Sequence, residues 1–515
     1  MRKAGIFILL FTKTFFVQAQ QPLAPVINWQ QRLGGSSDEA WESVCIAGDG
    51  SIVVCGYTSS INGDAGEGRG GTDAWVARFS VFGELIWKKR YGGTKLDFAN
   101  SIARGEGGGF IVAGVSYSDD GDLSGNHGYS DAWLLKLNDL GEKEWSFLYG
   151  GECFEEAVAV QHAAGGGYVV AGGSCSDENQ YQWEHRGLYD GWVFHVDGGG
   201  RMLWQHNFGG SGNDYIYHLD EGNEGEWILA GVTNSNDGDI EINYGNSDAW
   251  LVSVSKEGIL QWSRTYGGEG NDRFLSVHRS LNGNMFASGY FQKGFDFDGW
   301  VLKAGMGGDV LKQAFYGGGG PDYLVGSAIT GDGGGIFCGS TQSAFEGFSV
   351  SGSNGDAWFI KIDNNLDVQW QFVDGGEDPD AYVAVSVSEN NRVYLAGYTE
   401  SSGVGLPDAH GMQDSWLVSM TADILNEVRE FEQKQMFNIF PNPVKSSGVI
   451  YLTLQNGEIL TDAWILSSSG VVLKRYNNVS NGLGISLAGF SSGQYWLRIR
   501  DSRGRTFTRS FQVFN

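Results

Sequence analysis

Seven acidic side chains stand at one fixed place in this sequence, four residues after the second glycine of a Gly-Gly pair. A set of equivalent carboxylates permits two interpretations. They form a cation site or a negatively charged pore at the mouth of a central channel, or each accepts backbone N–H bonds in its own tight turn. The sevenfold repetition favours the turn, because a ligand site rarely needs seven equal copies. The seven acids are Glu39, Asp97, Glu155, Asp214, Asp272, Asp322 and Asp380.

A second set of acids lies in polar, glycine-rich loops. Asn-Gly-Asp and Asp-Gly-Asp triplets contribute Asp64, Asp120, Asp122, Asp237 and Asp239. Clustered carboxylates and carbonyls can hold Ca²⁺, and it is the one cofactor that the sequence lets us name. The spacing is not that of an EF-hand, and hydrogen-bonded Asx turns are the alternative that we favour.

Aromatic residues mark the places where loops depart from the repeat. Among polar neighbours, such side chains suit stacking on sugar rings or a hot spot for a protein partner. The alternative is that they pack within their own loops. The ligand-binding candidates are Tyr181, Trp183, His185, Arg186, Phe291, Phe295, Phe345 and Phe348.

Catalytic motifs find little support. The eight histidines show no metal-ligand spacing, and no Gly-x-Ser-x-Gly elbow follows a strand. A pair of carboxylates at a glycosidase separation remains open, but the sequence does not choose it. The sequence therefore leans against an enzyme without deciding the question.

Five cysteines form an odd set. Cys153 and Cys175 come at the start of one strand and the end of its hairpin partner, so we expect them to face each other and form a disulfide; a free pair is the alternative. Cys45, Cys55 and Cys338 are expected to be small buried apolar residues.

A long repeat must position all these groups. Asp-x-Trp recurs seven times at intervals of 58 or 59 residues, with one interval of 50. Each copy contains four short strands, which predicts an all-β fold of radially arranged sheets, a β-propeller. Residues 26–33 resemble a fourth strand without its first three, and residues 382–420 supply three strands without a fourth. We therefore predict a seven-bladed propeller over residues 20–422, closed by the N-terminal strand. Its long second-to-third-strand loops share one face with the turns that join successive sheets, and we call this the long-loop face.

The repeat, with its Asp-Ala-Trp strand, Gly-Gly pair and following acid, resembles the bacterial beta-propeller repeat family known as SBBP. The resemblance covers seven copies and implies the fold, but no activity.

The ends of the chain predict export. Residues 1–19 have a basic start, an apolar stretch and a small residue at Ala19, as in a secretory signal peptide. We expect no transmembrane segment. The formal net charge of −27 disfavours nucleic acid as a partner.

After a charged linker at residues 423–436, residues 437–515 hold eight Lys and Arg against three Asp and Glu and alternate as strands. They predict a small Ig-like β-sandwich. This segment resembles the type A C-terminal sorting domain of type IX secretion substrates from Bacteroidota-type cells. The motif residues are Phe440, Pro441, Asn442, Pro443, Gly493 and Tyr495. The resemblance implies passage through the periplasm, contact with the type IX machinery, and secretion or attachment to the outer cell surface.

Three functions are compatible with these features. We favour a non-enzymatic scaffold that binds glycan or protein through the long-loop face. A polysaccharide hydrolase or lyase on that face is the alternative, and a structural surface-layer component is the third possibility.

Overall fold

The structure is a computed structural model. It describes residues 25–176, 186–222, 225–280, 282–344, 355–389, 391–402, 410–421, 437–440, 444–445, 448–454, 460–466, 472–477, 484–488, 490–501 and 506–514. The predicted signal peptide at residues 1–19 and the predicted linker at residues 423–436 lie outside the described residues.

The described part of the chain up to residue 421 forms seven four-stranded antiparallel sheets, and the all-β prediction is confirmed. The first strand is β1 (Val26–Leu33), and six sheets of consecutive strands follow it. Sheet 1 has β2 (Glu39–Ile46), β3 (Ile52–Thr58), β4 (Asp73–Phe79) and β5 (Leu85–Tyr91); sheet 2 has β6 (Asp97–Arg104), β7 (Phe110–Ser116), β8 (Asp131–Leu137) and β9 (Lys143–Tyr149); and sheet 3 has β10 (Glu155–His162), β11 (Tyr168–Ser174), β12 (Asp190–Val196) and β13 (Met202–Phe208). Sheet 4 has β14 (Asp214–Glu221), β15 (Trp227–Thr233), β16 (Asp248–Val254) and β17 (Leu260–Tyr266); sheet 5 has β18 (Arg273–Arg279), β19 (Met285–Lys293), β20 (Asp296–Ala304) and β21 (Val310–Tyr316); and sheet 6 has β22 (Asp322–Ile329), β23 (Gly335–Thr341), β24 (Asp356–Ile362) and β25 (Val368–Asp374). Sheet 7 consists of β26 (Asp380–Val387), β27 (Arg392–Thr399), β28 (Asp414–Thr421) and β1. A single 3₁₀ turn, Gly63–Ala65, is the only helical element among the described residues.

The sheets follow one another in a cyclic order. The first strand of each sheet contacts the first strand of the next, and β26 of sheet 7 contacts β2 of sheet 1. The two central strands of a sheet are buried on both faces, as in β7 and β8, because neighbouring sheets cover them. This is the arrangement of blades in a β-propeller, in which the first strands surround a central channel.

Strand β1 closes the cycle. It pairs antiparallel with β28, from Val26 opposite Thr421 to Leu33 opposite Ser415. A fully buried ion pair fixes this register, with Arg32 Nε 2.6 Å from Asp414 Oδ2. Without β1, the outward edge of β28 would expose unpaired backbone groups.

Tryptophan and tyrosine side chains join neighbouring sheets. The tryptophan of each Asp-x-Trp copy is at most 1% exposed, and Trp133 of sheet 2 packs in one cluster with Val76 and Tyr91 of sheet 1. Tyrosines just before the Gly-Gly pair donate to a turn carbonyl of the next sheet, as Tyr149 does to Gly200 at 2.6 Å. Burial of large rings supplies the apolar stabilisation, and the hydroxyl bonds fix how one sheet sits on the next.

Every first strand carries a β-bulge, after its second residue in β18 and after its third in the other six. A bulge adds one residue to a strand and redirects its side chain. All seven extra residues line a central cavity of about 1470 Å³. They are Glu42, Asn100, Val158, Tyr217, Leu275, Val325 and Val383. The extra residues of sheets 5, 6 and 7 are aliphatic, whereas those of sheets 1, 2 and 4 are polar.

The C-terminal segment forms two further sheets. One has three strands and the other has five, with a common core that includes Ile450, Leu497 and Phe511. The strands are β29 (Phe437–Phe440), β30 (Val444–Lys445), β31 (Val449–Leu454), β32 (Leu460–Leu466), β33 (Val472–Asn477), β34 (Gly484–Ser486), β35 (Gly493–Asp501) and β36 (Thr506–Phe514).

Replacement of Arg32 tests the closure. We expect Arg32→Met to lower the free energy of unfolding by about 3–5 kcal/mol, because it leaves Asp414 buried without its cation. Urea unfolding of the full chain measures this change. In the control Arg69→Gln, the Arg69 side chain is 55% exposed and pairs with Asp122, so the loss should stay below about 1 kcal/mol. Equal losses in both variants would contradict the role of the buried pair.

Candidate ligand-binding site at the channel mouth

The seven repeated acids are held inside the turns between sheets. Each is at most 1% exposed, and each carboxylate accepts the N–H of the second glycine of its pair. Hydroxyl groups add donors, as Ser116 and Ser118 do for Asp97 at 2.5 and 2.8 Å. This geometry is that of the turn interpretation.

The first glycine of the pair is also required by the carboxylate. Gly92 has a φ of 147°, and a Cβ atom there would lie 2.6 Å from Asp97 Oδ2. A side chain at this position would therefore collide with the acid and strain the backbone.

A second buried carboxylate adjoins the repeated acid at several junctions. The aspartate of Asp-x-Trp accepts an N–H bond through Oδ2, as Asp73 does from Arg69 at 3.0 Å. Burial raises the pKa of Asp97 above its usual range, and the charge of Asp73 adds to the increase. Burial likewise raises the pKa of Asp248 to about 6, and the charge of Asp272 adds to it.

The Asp-Gly-Asp loops are tied to the same turns. Asp120 accepts the N–H of Thr94 at 2.7 Å, and Asp237 accepts that of Ser211 at 2.6 Å. Among the residues that the structure describes, no group of three or more His, Cys, Asp or Glu side chains is arranged to hold a metal ion. The Ca²⁺ hypothesis therefore gains no support from these loops. The remaining carboxylates form ion pairs: Asp64 with Lys88 at 2.9 Å, Asp122 with Arg69 at 2.6 Å and with Lys143 at 2.9 Å, and Asp239 with Arg186 at 2.9 Å.

The aromatic residues singled out in the sequence have different environments. Phe291 packs on Trp300 and Phe315, with ring centroids 5.5 and 5.0 Å apart, so it serves its own sheet. Phe295 is fully exposed. Tyr181, Trp183, His185, Phe345 and Phe348 lie outside the described residues, as do Pro441, Asn442 and Pro443 of the sorting motif.

The structure joins Cys153 and Cys175 in a disulfide on the long-loop face. Next to it, the rings of Tyr129 and Phe154 stack with centroids 4.9 Å apart and planes 13° apart. Tyr129 is 67% exposed and Phe154 is 39% exposed, so the stack faces solvent. The backbone N–H of Tyr129 donates to the carbonyl of Cys153 at 3.0 Å, which fixes the loop beneath the stack.

From this stack a continuous series of aromatic side chains leads to the channel. Tyr189 donates its hydroxyl to the carbonyl of Phe154 at 2.9 Å, and its ring lies 5.9 Å from that of Tyr215. The rings of Tyr215 and Tyr217 are 4.8 Å apart. The guanidinium of Arg273 lies between the rings of Tyr217 and Tyr290, and the ring of Tyr290 contacts those of Phe297 and Tyr323. We call the series the aromatic arc: Tyr129, Phe154, Tyr189, Tyr215, Tyr217, Tyr290, Phe297 and Tyr323.

The aromatic arc depends on a glycine. A Cβ atom at Gly173 would lie 2.4 Å from Cε2 of Tyr215 and 2.7 Å from Cε1 of Tyr189. The other copies of the repeat carry Tyr, Val or Ser at this position. This departure could have been recognised in the sequence, as could the two tyrosines, Tyr215 and Tyr217, on the first strand of sheet 4.

Two histidines lie together on the channel wall. The rings of His218 and His278 are 4.9 Å apart, and His278 Nε2 lies 2.7 Å from the carbonyl of Ser327. Burial lowers the pKa of His218 to about 3, and the charge of His278 contributes, so His218 is neutral near pH 7. Within the described residues, no serine hydroxyl or cysteine thiol bonds to either imidazole, as a nucleophile and its base would.

Asp248→Asn tests the cost of the buried carboxylates. Because the pKa of Asp248 is raised to about 6, its contribution to stability is complete below its unfolded value, about 3.9, and is lost as the pH rises through 6. Asparagine does not titrate. We therefore expect the stability of this variant, relative to the parent, to increase between about pH 5 and 7.5 in urea unfolding.

Asp197→Asn is the matched control. The pKa of the exposed Asp197 is lowered, chiefly by the N–H of Arg201, so its contribution is lost only at lower pH. The difference between this variant and the parent should stay flat over the same range. A flat profile for Asp248→Asn as well would refute the prediction.

Gly173→Ala tests the packing of the aromatic arc. We expect a loss of about 1–3 kcal/mol in the free energy of unfolding, because the new methyl group overlaps two rings. Gly165 is the control in the same sheet, since a Cβ atom there meets nothing within 4 Å. Urea unfolding of both alanine variants measures the difference, and no difference would show that the rings move aside freely.

Comparisons with known proteins identify the C-terminal segment. Residues 438–513 match the family model of the secretion system C-terminal sorting domain. No curated protein matches the chain. The described residues include no helix with the length and apolar character of a membrane span.

Several solved structures are similar in fold at low identity. PorZ, described as an essential surface component of the type IX secretion system of Porphyromonas gingivalis, has a TM-score of 0.43 and 12% identity, over 94% of this chain and 60% of PorZ. The WD40 domain of Neurospora crassa Pan2 has a TM-score of 0.43 and 10% identity, over 77% of this chain and 97% of that domain. The periplasmic gluconolactonase PpgL of Pseudomonas aeruginosa has a TM-score of 0.40 and 12% identity, over 66% of this chain and 87% of the enzyme. Likeness at this level says nothing about function. The family match is informative about localisation. Residues 438–513 are a type IX C-terminal sorting domain, and the chain is secreted or attached to the cell surface.

Proposed function

We propose that this protein is a non-enzymatic scaffold of the cell exterior that binds glycan or protein through its long-loop face. In this proposal residues 1–19 are a signal peptide and residues 20–422 form a closed seven-bladed propeller. After the linker at residues 423–436, residues 437–515 form an Ig-like sandwich that the type IX machinery recognises.

The aromatic arc carries the proposal. It begins at the solvent-exposed stack of Tyr129 and Phe154, and its middle members Tyr189, Tyr215 and Tyr217 line the channel. Sugar rings have apolar faces that stack on such side chains, and the tyrosine hydroxyls supply hydrogen bonds to sugar hydroxyls. The disulfide and the backbone bonds beneath the stack hold the rings in place before a ligand arrives, which reduces the entropic cost of binding.

The groups that could react are engaged in the fold. The seven repeated acids accept turn N–H bonds, and the two channel histidines contact backbone groups. Among the described residues, the repeated acids and the channel histidines are thus occupied by contacts within the fold, which in our proposal favours binding over hydrolysis. Shortened or unsaturated sugar products would nevertheless identify the alternative, a polysaccharide hydrolase or lyase.

Tyr129→Ala tests the proposal. We expect the full chain to retain intact oligosaccharides from a panel, and the variant to bind them about 5–10 times more weakly, because a stacking ring contributes about 1 kcal/mol or slightly more. Affinity electrophoresis gives the binding constants, and mass spectrometry of the sugars detects any products.

Phe82→Ala supplies the control. Phe82 is 63% exposed and lies in the turn between β4 and β5, on the opposite face. Its removal should leave glycan binding unchanged. Equal weakening by both variants, or retention of no glycan at all, would count against the proposal, and the latter result would shift attention to a protein partner.

A further inference from the structure

Arg273 is a cation on the channel wall that has no carboxylate partner among the described residues. Arg273, the first residue of β18, has its guanidinium 5.7 Å from the ring centroid of Tyr217 and 5.2 Å from that of Tyr290. Its Nη1 donates to the Tyr217 hydroxyl at 3.0 Å. Two members of the aromatic arc therefore hold the guanidinium in a fixed place by cation–π contact and one hydrogen bond.

Several other arginines of the propeller with little exposure are neutralised. Arg32 pairs with Asp414 at 2.6 Å, Arg90 with Asp73 at 2.6 Å, and Arg279 with Glu226 at 2.6 Å. Arg273, in contrast, has no carboxylate within 4.0 Å among the described residues, and its Nε is buried without a hydrogen-bond partner. A buried donor without a hydrogen-bond partner lowers the stability of the fold. The chain has a net charge of −27 and is therefore rich in carboxylates, yet none of the described ones pairs with Arg273.

The groups around Arg273 define what could occupy this place. Its neighbours on the channel wall include Glu156, Tyr215 and Tyr217, all of them partly exposed. Glu156 belongs to sheet 3. Burial raises the pKa of Tyr217, the charge of Arg273 lowers it, and the charge of Glu156 raises it further. A cation, a carboxylate and aromatic faces thus converge within one cavity of about 1470 Å³.

We propose that Arg273 is the anion subsite for a carboxylate-bearing sugar, a uronic acid residue of an acidic polysaccharide. The planar guanidinium matches a carboxylate in geometry and charge. The sugar ring then stacks on the tyrosines, and Glu156 accepts from a sugar hydroxyl. This inference rests on the proposed function, and it names the class of glycan that the site selects.

The test compares one oligosaccharide in two charge states. Trigalacturonate and its fully methyl-esterified form have the same rings, but only the first carries carboxylates. A short oligosaccharide is preferable, because the net negative charge of the protein repels a long polyanion. Calorimetric titration of the full chain measures the affinities. It is done in about 0.15 M salt, which screens this repulsion beyond about 8 Å.

We expect the parent chain to bind the acid form at least about 10 times more tightly than the ester. Arg273→Gln should weaken binding of the acid form by at least about tenfold and remove the discrimination, whereas Arg273→Lys should retain part of it. The matched control is Arg69→Gln, which removes one positive charge from an exposed, paired arginine and should change the affinity by less than about twofold.

Three results would overturn the inference: equal affinity of the parent for acid and ester, unchanged affinity in Arg273→Gln, or no binding of trigalacturonate. If neutral oligosaccharides are still retained in those cases, the proposed function stands and only the anion subsite fails. If no glycan is retained, both fail. The comparison of acid and ester on the parent chain decides the question even if Arg273→Gln does not fold.

Discussion

The architecture depends on a buried carboxylate beneath each turn that joins two sheets. Every such turn reverses the chain over a Gly-Gly pair, and the acid four residues later receives the N–H group that the reversal leaves without a strand partner. Because the carboxylate lies against the first glycine, no larger residue fits there. The raised pKa of acids such as Asp97 records the cost of this burial. The buried carboxylates therefore hold neighbouring sheets in place. The loops between the second and third strands can vary without moving the sheets.

This separation between fixed turns and variable loops determines where a ligand can bind. The Asp-Gly-Asp loops use their carboxylates to anchor themselves to the turns, as Asp120 does at Thr94. Their oxygens are thereby committed to the scaffold. In the proposed function, the binding groups come instead from positions that depart from the repeat, and the aromatic arc brings them together from sheets 2 to 6. The bulge in every first strand supports this arrangement, since it points one extra side chain into the channel.

Features that every copy repeats could be predicted from the sequence. The acids, the buried tryptophans and the four-strand unit recur in every copy, and the sequence assigns residues 26–33 to sheet 7 because that sheet alone lacks a fourth strand. The aromatic arc could not be predicted in the same way. It unites residues from Tyr129 to Tyr323 that come from five sheets, and simple alternation does not reveal that a bulge directs Tyr217 into the channel. Phe291 shows the opposite case: it lies within β19 rather than in a loop, and its ring packs on Trp300 and Phe315 of its own sheet.

The pairing of β1 with β28 also bears on how the chain acquires its structure. Six sheets form from neighbouring segments, but the seventh joins Arg32 to Asp414, which are 382 positions apart. We expect such a contact to form late, because closing a loop of this length costs more entropy than forming a hairpin. Strand β1, the first to leave the ribosome or to cross a membrane, therefore stays unpaired until β28 follows it. Until residue 421 has arrived, the growing array has two open sheet edges, at which unwanted pairing with another copy must be prevented.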